Sequence, residues 1–107
     1  MSYKTITPAE FAERAARGGR ARLIDVREPW EFELASVKGA ELLPLSRFDE
    51  WAASLDPAEE IVFMCHHGIR SAHACALLAR RGFARLSNLA GGIDRWSEEV
   101  DARVPRY

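Results

Sequence analysis

A chain of 107 residues is long enough for one domain with a packed core and leaves little room for two, so we expect residues 1–107 to form a single domain. Its 15 basic and 16 acidic side chains give a formal net charge of −1, which offers no electrostatic reason to propose nucleic acid or an anionic membrane as a partner. No stretch approaches the roughly 20 apolar residues of a membrane span and no signal peptide is visible, so we expect a cytoplasmic protein with free thiols.

The first predicted elements are a strand and a helix. Residues 3–6 form a short strand candidate. Thr7 and Glu10 then match a capping box, in which each side chain accepts a hydrogen bond from the other residue's backbone N–H, and Pro8 takes the first helical position. Gly18 and the glycine after it are expected to end this helix.

The next part of the chain repeats the alternation of strand and helix. Residues 23–26 form the second strand candidate, and a short helix that begins near Pro29 continues until the turn at Gly39. Residues 42–43 form a brief third strand, and Ser46 is placed to cap the helix after it.

The apolar run of residues 61–64 is typical of a central parallel strand that is covered on both faces. A helix over residues 71–81 follows and ends at Gly82. Residues 85–89 then form the last strand and residues 93–100 the last helix. Three tryptophans are predicted to be core anchors: Trp30, Trp51 and Trp96.

This alternation predicts an α/β fold with an open, mostly parallel five-stranded sheet and helices on both faces. In such folds the reactive site lies at the carboxyl ends of the strands. Cys65 directly follows one predicted strand, and Asp25 and Arg27 lie at the end of another. We therefore expect these three side chains at the same edge of the sheet.

Cys65 lies between a buried strand and a helix N-terminus, where unpaired N–H groups and the helix dipole favour a thiolate. Gly68 lets the loop curl so that its N–H groups point inward, and Arg70 adds a fixed cation. The alternative is a buried core cysteine that happens to end a strand. The spacing of the glycine and the arginine favours a nest for an anion with a nucleophilic sulfur at its centre.

Three segments together resemble the rhodanese family. Residues 65–71 (CHHGIRS) resemble its active-site loop, residues 25–32 (DVREPWEF) its first signature, and residues 88–96 (NLAGGIDRW) its closing one. They occur in the family's order and spacing, and the similarity covers nearly the whole chain. One departure is Ser36, which stands where many members have a histidine just before the Gly39 turn.

The resemblance implies a sulfurtransferase that carries sulfur as a persulfide on Cys65. The donor would be thiosulfate or another sulfane donor, and the acceptor cyanide, a small thiol or a protein thiol. No metal or organic cofactor is implied. Asp25 and Arg27 would support the geometry of the loop. The residues expected to bind the transferred sulfur or the substrate are His66, His67, Gly68, Ile69, Arg70 and Ser71.

Other functions remain open at this level. A phosphatase is disfavoured because cysteine phosphatases surround phosphate with a longer loop than the four residues between Cys65 and Arg70. A non-catalytic binding module is a second alternative, although such domains typically lose Cys65 or Gly68, and both are present. A third is a redox sensor, in which the same thiolate is oxidised and thiosulfate is irrelevant.

Two residues of the loop have alternative roles. His66 and His67 are expected to contribute their backbone more than their side chains, and their spacing does not predict a zinc site.

Arg70 is expected either to bind the anionic end of a substrate or to hold the loop, and Ser71 to cap the following helix. Cys75 shares a helical face with Leu78 and is expected in the core rather than as a resolving thiol. The alternative to a supporting role for Arg27 is a simple surface pair with Glu31 that contributes little stability.

Overall fold

The computed structural model of the protein describes residues 2–107. Its five strands form one sheet, and every neighbouring pair is parallel. The predicted α/β sheet is therefore confirmed, and it is wholly parallel within the described residues. In spatial order the strands are β1 (Lys4–Ile6), β5 (Leu86–Leu89), β4 (Ile61–Met64), β2 (Arg22–Asp25) and β3 (Glu41–Leu42).

Helices connect the strands and cover both faces of the sheet. They are α1 (Pro8–Ala16), α2 (Pro29–Leu34), α3 (Phe48–Trp51), α4 (Ile69–Ala79) and α5 (Gly92–Glu99). Short 3₁₀ turns flank α3 at Leu45–Arg47 and Ala52–Ser54. Within residues 2–107 we find no helix that combines the length and the apolar character needed to cross a membrane.

The central strand β4 divides the hydrophobic core in two, because successive side chains of a strand point to opposite faces. Ile61 and Phe63 belong to a cluster with buried residues of α3 and α4. Val62 and Met64 belong to a second cluster with buried residues of α5. All four side chains are almost completely buried, which explains why the run is apolar without interruption.

The predicted start of α1 is confirmed in detail. The Glu10 N–H donates to the Thr7 hydroxyl at 3.1 Å, and the Thr7 N–H donates to the Glu10 carboxylate at 2.8 Å. At the end of α4, Gly82 adopts a φ of 90°, and the Phe83 N–H turns back to the Leu78 carbonyl at 3.2 Å. Local capping rules therefore predict the start of α1 correctly. Gly82 adopts the predicted turn, but α4 ends at Ala79, two residues before the predicted end at residue 81.

Two predictions about side chains in this region are wrong. Ser46 does not cap a helix, because the chain enters a 3₁₀ turn whose N-cap is Pro44, and its hydroxyl donates to the Glu28 carboxylate at 2.8 Å. Trp30 is not a core anchor, since it lies in the first turn of α2 with 60% of its surface exposed. Trp51 and Trp96 are buried, as predicted.

Helix α4 begins at Ile69, two residues earlier than the sequence predicts. Its N-cap is Gly68, which adopts a left-handed conformation with φ of 102°. Residues that carry a side chain rarely adopt this backbone conformation, so a glycine is required where the chain turns from β4 into the helix. The turn is consequently tight, and it brings the first residues of α4 back towards Cys65.

Candidate active site

The candidate site lies at the carboxyl edge of the sheet, where β2 and β4 end side by side. Asp25 is the last residue of β2 and pairs with Met64, the last residue of β4. Cys65 follows directly and is 1% exposed. The structure thus brings Cys65 to the same edge as Asp25 and Arg27, as the topology predicts.

The Cys65 sulfur is held by backbone N–H groups of the loop that follows it. The Gly68 N–H donates to Sγ at 3.1 Å, and the Ser71 N–H donates at 3.4 Å. Both groups belong to the start of α4 and have no carbonyl partner within the helix. The sulfur therefore lies where the N-terminal end of the α4 dipole favours negative charge.

Ser71 has a different place from the one predicted. It lies inside the first turn of α4 and is completely buried, so it does not cap the helix. Its hydroxyl donates to the Asn88 side-chain oxygen at 2.5 Å and lies 3.3 Å from the Cys65 sulfur. The Asn88 amide in turn donates to the Gly68 carbonyl at 3.0 Å. Asn88 thereby ties together both residues whose N–H groups reach the sulfur.

The first turn of α5 binds the carbonyl groups of the loop. The Ile93 N–H donates to the Cys65 carbonyl at 2.9 Å, and the Asp94 N–H donates to the His66 carbonyl at 3.2 Å. These bonds join the loop to the start of α5. Gly92 permits this approach, because a Cβ at this position would lie 2.3 Å from the Cys65 carbonyl oxygen.

Arg70 is held by a carboxylate of α2. Its two terminal nitrogens donate to the two oxygens of Glu31 at 2.6 and 2.9 Å, which is the bidentate geometry of a strong ion pair. Glu31 is 3% exposed, and chiefly the Arg70 guanidinium lowers the pKa of its carboxyl from 4.5 to about 2. Of the two predicted roles for Arg70, this geometry matches that of holding the loop.

Arg27 and Glu31 do not form the predicted surface pair. Arg27 is fully buried and pairs with Asp25, with its Nη2 donating to a carboxylate oxygen at 2.6 Å. It points inward because it precedes α2, and its guanidinium also donates to the carbonyls of Ala35 and Glu31 at 2.7 and 3.3 Å. The Tyr107 hydroxyl accepts from Arg27 at 2.8 Å and donates to Glu31 at 2.7 Å.

The two histidines of the loop stack on one another. The ring centroids of His66 and His67 lie 3.9 Å apart, and the Tyr107 ring stacks on the other face of His66 at 4.0 Å. Burial, followed by the neighbouring charge of His67, lowers the pKa of His66. Its Nε2 is buried and finds no hydrogen-bond partner among the described residues. Ile69 projects outward and is 80% exposed.

One group of side chains at the rim has the composition of a metal site. Single ligand atoms of His66, His67 and Asp94 lie within 4.8 Å of one another. Asp94, however, already accepts two hydrogen bonds from Arg106, at 2.9 and 3.0 Å. A metal ion at this group would have to share the Asp94 carboxylate with the Arg106 guanidinium.

Cys75 lies on the buried face of α4, in the same core cluster as Cys65. It is fully buried beside Leu78, as predicted, and neither Cys75 nor Cys65 forms a disulfide. Burial raises the pKa of its thiol to about 12. Cys75 is therefore expected to remain a protonated core thiol at neutral pH.

The sequence did not indicate three residues that organise this site: Glu31 as the partner of Arg70, Asn88 and Tyr107. Glu31 and Asn88 lie within the segments 25–32 and 88–96, which is the signal that could have found them. Tyr107 lies in no such segment. Its contact with Arg27 joins residues that are 80 positions apart, and no local pattern encodes it.

Replacing Gly92 with alanine should distort the loop. The new Cβ would lie within 2.3 to 2.5 Å of the Cys65 and His66 carbonyl oxygens, and the φ of 59° adds strain. Gly82→Ala is the matched control, since its φ is 90° but nothing lies within 4 Å of the added atom. Urea unfolding should show a loss of about 1–2 kcal/mol for Gly82→Ala and about 1–3 kcal/mol more for Gly92→Ala. Equal losses would mean that the loop has room for a side chain.

The Glu31 ion pair should make stability depend on pH. A carboxyl whose folded pKa is depressed stabilises the fold above its unfolded pKa, and this contribution disappears as the pH falls through the folded pKa. With values of 4.5 and about 2, the contribution is complete above pH 4.5 and lost between pH 4.5 and 2. We expect Glu31→Gln to cost on the order of 3 kcal/mol at pH 7.

Unfolding of wild type and variant measured at steps from pH 7 to pH 3 checks this expectation. The difference between the two should shrink as the pH falls below 4.5. Glu33→Gln, which changes an exposed residue of the same helix, should show a small difference that stays constant. A Glu31→Gln cost that is independent of pH would contradict the ion pair.

Known proteins resemble this chain in sequence and in fold. The family model "Rhodanese-like domain" matches residues 7–99. Over 91 residues the chain is 40% identical to the chloroplastic rhodanese-like/PpiC domain-containing protein 12 of Arabidopsis thaliana, covering 81% of this chain but only 30% of that protein. It is 30% identical to the thiosulfate sulfurtransferase GlpE of Ectopseudomonas mendocina, covering 88% of this chain and 84% of that one.

A solved structure matches almost from end to end. The human single-domain sulfurtransferase TSTD1 superimposes with a TM-score of 0.78 and 29% identity, over 92% of this chain and 98% of that one. The parallel sheet, the loop after its central strand and the match over residues 7–99 thus agree with one another. The chain belongs to the rhodanese-like domain family.

Proposed function

We propose that the protein is a sulfurtransferase that carries sulfane sulfur as a persulfide on Cys65. The observation that carries the proposal is the pair of N–H groups, from Gly68 and Ser71, that donate to the Cys65 sulfur. Such donors stabilise negative charge on sulfur. Membership of the family and the names of two relatives, a thiosulfate sulfurtransferase and a single-domain sulfurtransferase, support the same reaction class.

In the first half-reaction the Cys65 thiolate attacks the outer sulfur of thiosulfate. A sulfur–sulfur bond forms between protein and substrate, the bond within thiosulfate breaks, and sulfite leaves with the bonding electron pair. The persulfide formed on Cys65 keeps one negative charge. We expect the N–H groups of the loop, from His66 to Ser71, to stabilise that charge by donating hydrogen bonds, and the step needs no metal or organic cofactor.

In the second half-reaction an acceptor removes the outer sulfur. Cyanide or a thiol attacks it, thiocyanate or a new persulfide forms, and the Cys65 thiolate is regenerated. Ile69 of the same loop is 80% exposed. We expect the acceptor, a small molecule or a protein thiol, to approach the loop from this side. A persulfide could replace thiosulfate as donor, because the attacked atom is again a sulfane sulfur.

Phosphate transfer fits this geometry less well. A phosphatase loop aims its arginine at the equatorial oxygens of the substrate. Here both terminal nitrogens of Arg70 donate to Glu31, and only four residues separate Arg70 from Cys65. The ring of N–H groups is accordingly small, and a single sulfur atom suits it better than a tetrahedral oxyanion.

The mass of the intact protein tests the proposal. After incubation with thiosulfate, the wild type should gain one sulfur atom, and cyanide should remove it with formation of thiocyanate. Cys65→Ser should gain none, because it lacks the accepting thiolate, and should remain folded. Substantial transfer by this variant would contradict the mechanism.

Cys75→Ser is the matched control, since it removes the other cysteine. Its thiol is buried and its pKa is raised to about 12, so the variant should load and release sulfur as the wild type does. A large loss would instead point to a resolving thiol. Repeating the loading with a small-molecule persulfide separates donors: sulfur taken only from the persulfide would contradict thiosulfate as substrate, and none from either would favour a binding or sensing role.

A further inference from the structure

Tyr107 makes contacts in the site that the proposed reaction does not yet explain. Its hydroxyl accepts from Arg27 at 2.8 Å and donates to Glu31 at 2.7 Å. Arg27 is fully buried in its pair with Asp25, and Glu31 holds Arg70. One hydroxyl group therefore connects the two ion pairs beneath the loop.

The Glu31 carboxylate depends on this hydroxyl for one of its four donors. One oxygen accepts from Arg70 at 2.6 Å and from the Glu28 N–H at 3.0 Å. The other accepts from Arg70 at 2.9 Å and from Tyr107 at 2.7 Å. Each oxygen thus has one bond to the arginine and one to a fixed neighbour. The orientation of the carboxylate, and with it that of the guanidinium, is determined by these two neighbours.

The segment that carries Tyr107 is fastened to α5. The Ser97 hydroxyl donates to the Val104 carbonyl at 2.9 Å, and Val104 packs against the core cluster of that face. Arg106 donates to Asp94 at 2.9 and 3.0 Å and to Glu98 at 2.9 Å. Tyr107 is therefore presented to the loop by a helix whose own first turn binds the Cys65 and His66 carbonyls.

The Tyr107 ring has a second role that is independent of its hydroxyl. It stacks on His66 with ring centroids 4.0 Å apart and an angle of 8° between the planes. It also makes an edge-type contact with Trp30, with ring centroids 6.3 Å apart and an angle of 73° between the planes. Since His66 directly follows Cys65, the ring restrains the residue next to the nucleophile.

We propose that Tyr107 is a positioning residue for sulfur transfer, in which its hydroxyl fixes Arg70 through Glu31 and its ring fixes His66 beside Cys65. This inference rests on the proposed function of Cys65. It extends the site beyond the segments 25–32, 65–71 and 88–96. The hydrogen bonds found at the Cys65 sulfur come from Gly68 and Ser71 and not from Tyr107, so Tyr107 acts through its neighbours.

Two substitutions separate the hydroxyl from the ring. Tyr107→Phe keeps the stack on His66 and removes the bonds to Arg27 and Glu31, whereas Tyr107→Leu removes both. One hydrogen bond of ordinary strength corresponds to a change of about three- to tenfold in a rate constant. We expect Tyr107→Phe to lower the kcat of sulfur transfer from thiosulfate to cyanide by a factor of this size. The KM for thiosulfate should stay within about twofold, because both hydrogen bonds of the hydroxyl are made to Arg27 and Glu31.

Tyr107→Leu should lose more activity than Tyr107→Phe, and it alone should move the His66 ring signals in an NMR spectrum. Each rate is divided by the amount of sulfur that cyanide releases from the loaded protein. Unfolded protein therefore does not lower the rate that is compared. Tyr3→Phe removes a hydroxyl from an exposed tyrosine outside the site and is the matched control, with no change expected.

The outcomes separate this inference from the proposed function. If the wild type takes up no sulfur, the proposed function fails, while the His66 signals of Tyr107→Leu still report whether the ring positions the loop. If the wild type is active and Tyr107→Phe keeps the wild-type kcat, the hydroxyl has no positioning role. If the His66 signals of Tyr107→Leu also match the wild type, the inference is overturned as a whole.

Discussion

The site depends on one constraint: two backbone N–H groups must point at a single sulfur atom. The Gly68 and Ser71 N–H groups reach the Cys65 sulfur because the chain reverses at Gly68, where φ is 102°. Two carbonyls of the same loop, those of Cys65 and His66, accept hydrogen bonds from the first turn of α5. The absence of a side chain at Gly92 is a condition for it. The end of β4 and the starts of α4 and α5 thus meet at one loop, and α4 supplies the two donors to its sulfur atom.

Two ion pairs also hold the loop in place. Glu31 of α2 pairs with Arg70 of α4, and Arg27 pairs with Asp25 at the end of β2. Removing one partner of a buried ion pair leaves an uncompensated charge and is strongly destabilising. Arg27 also donates to the Glu31 and Ala35 carbonyls, so the two pairs together connect β2, α2 and α4, although α2 is short and carries an exposed Trp30. The same two ion pairs thus stabilise the edge of the sheet and hold the geometry of the loop.

Much of the fold could be predicted because it is encoded locally. Four consecutive apolar residues determine the central strand, and Thr7 with Glu10 determines the start of α1. The sequence places the start of α4 two residues too far along the chain, because serine favours the N-cap position. In the structure Gly68 is the N-cap, and the Ser71 hydroxyl donates to Asn88 instead. The partners of Arg27 and Arg70 could not be predicted, since ion pairs between distant elements depend on how the helices pack on the sheet. The contact of Tyr107 with Glu31, 76 positions away, is the extreme case.

The most direct test of the account is the NMR signal of the Gly68 and Ser71 amide protons before and after Cys65 is loaded with sulfur. If these N–H groups hold the reacting sulfur, both signals should shift on loading with thiosulfate and return when cyanide removes the sulfur, while Gly82, at the far end of α4, should not move. Stationary Gly68 and Ser71 signals, in a protein whose mass shows bound sulfur, would contradict the claim that the loop backbone stabilises the persulfide.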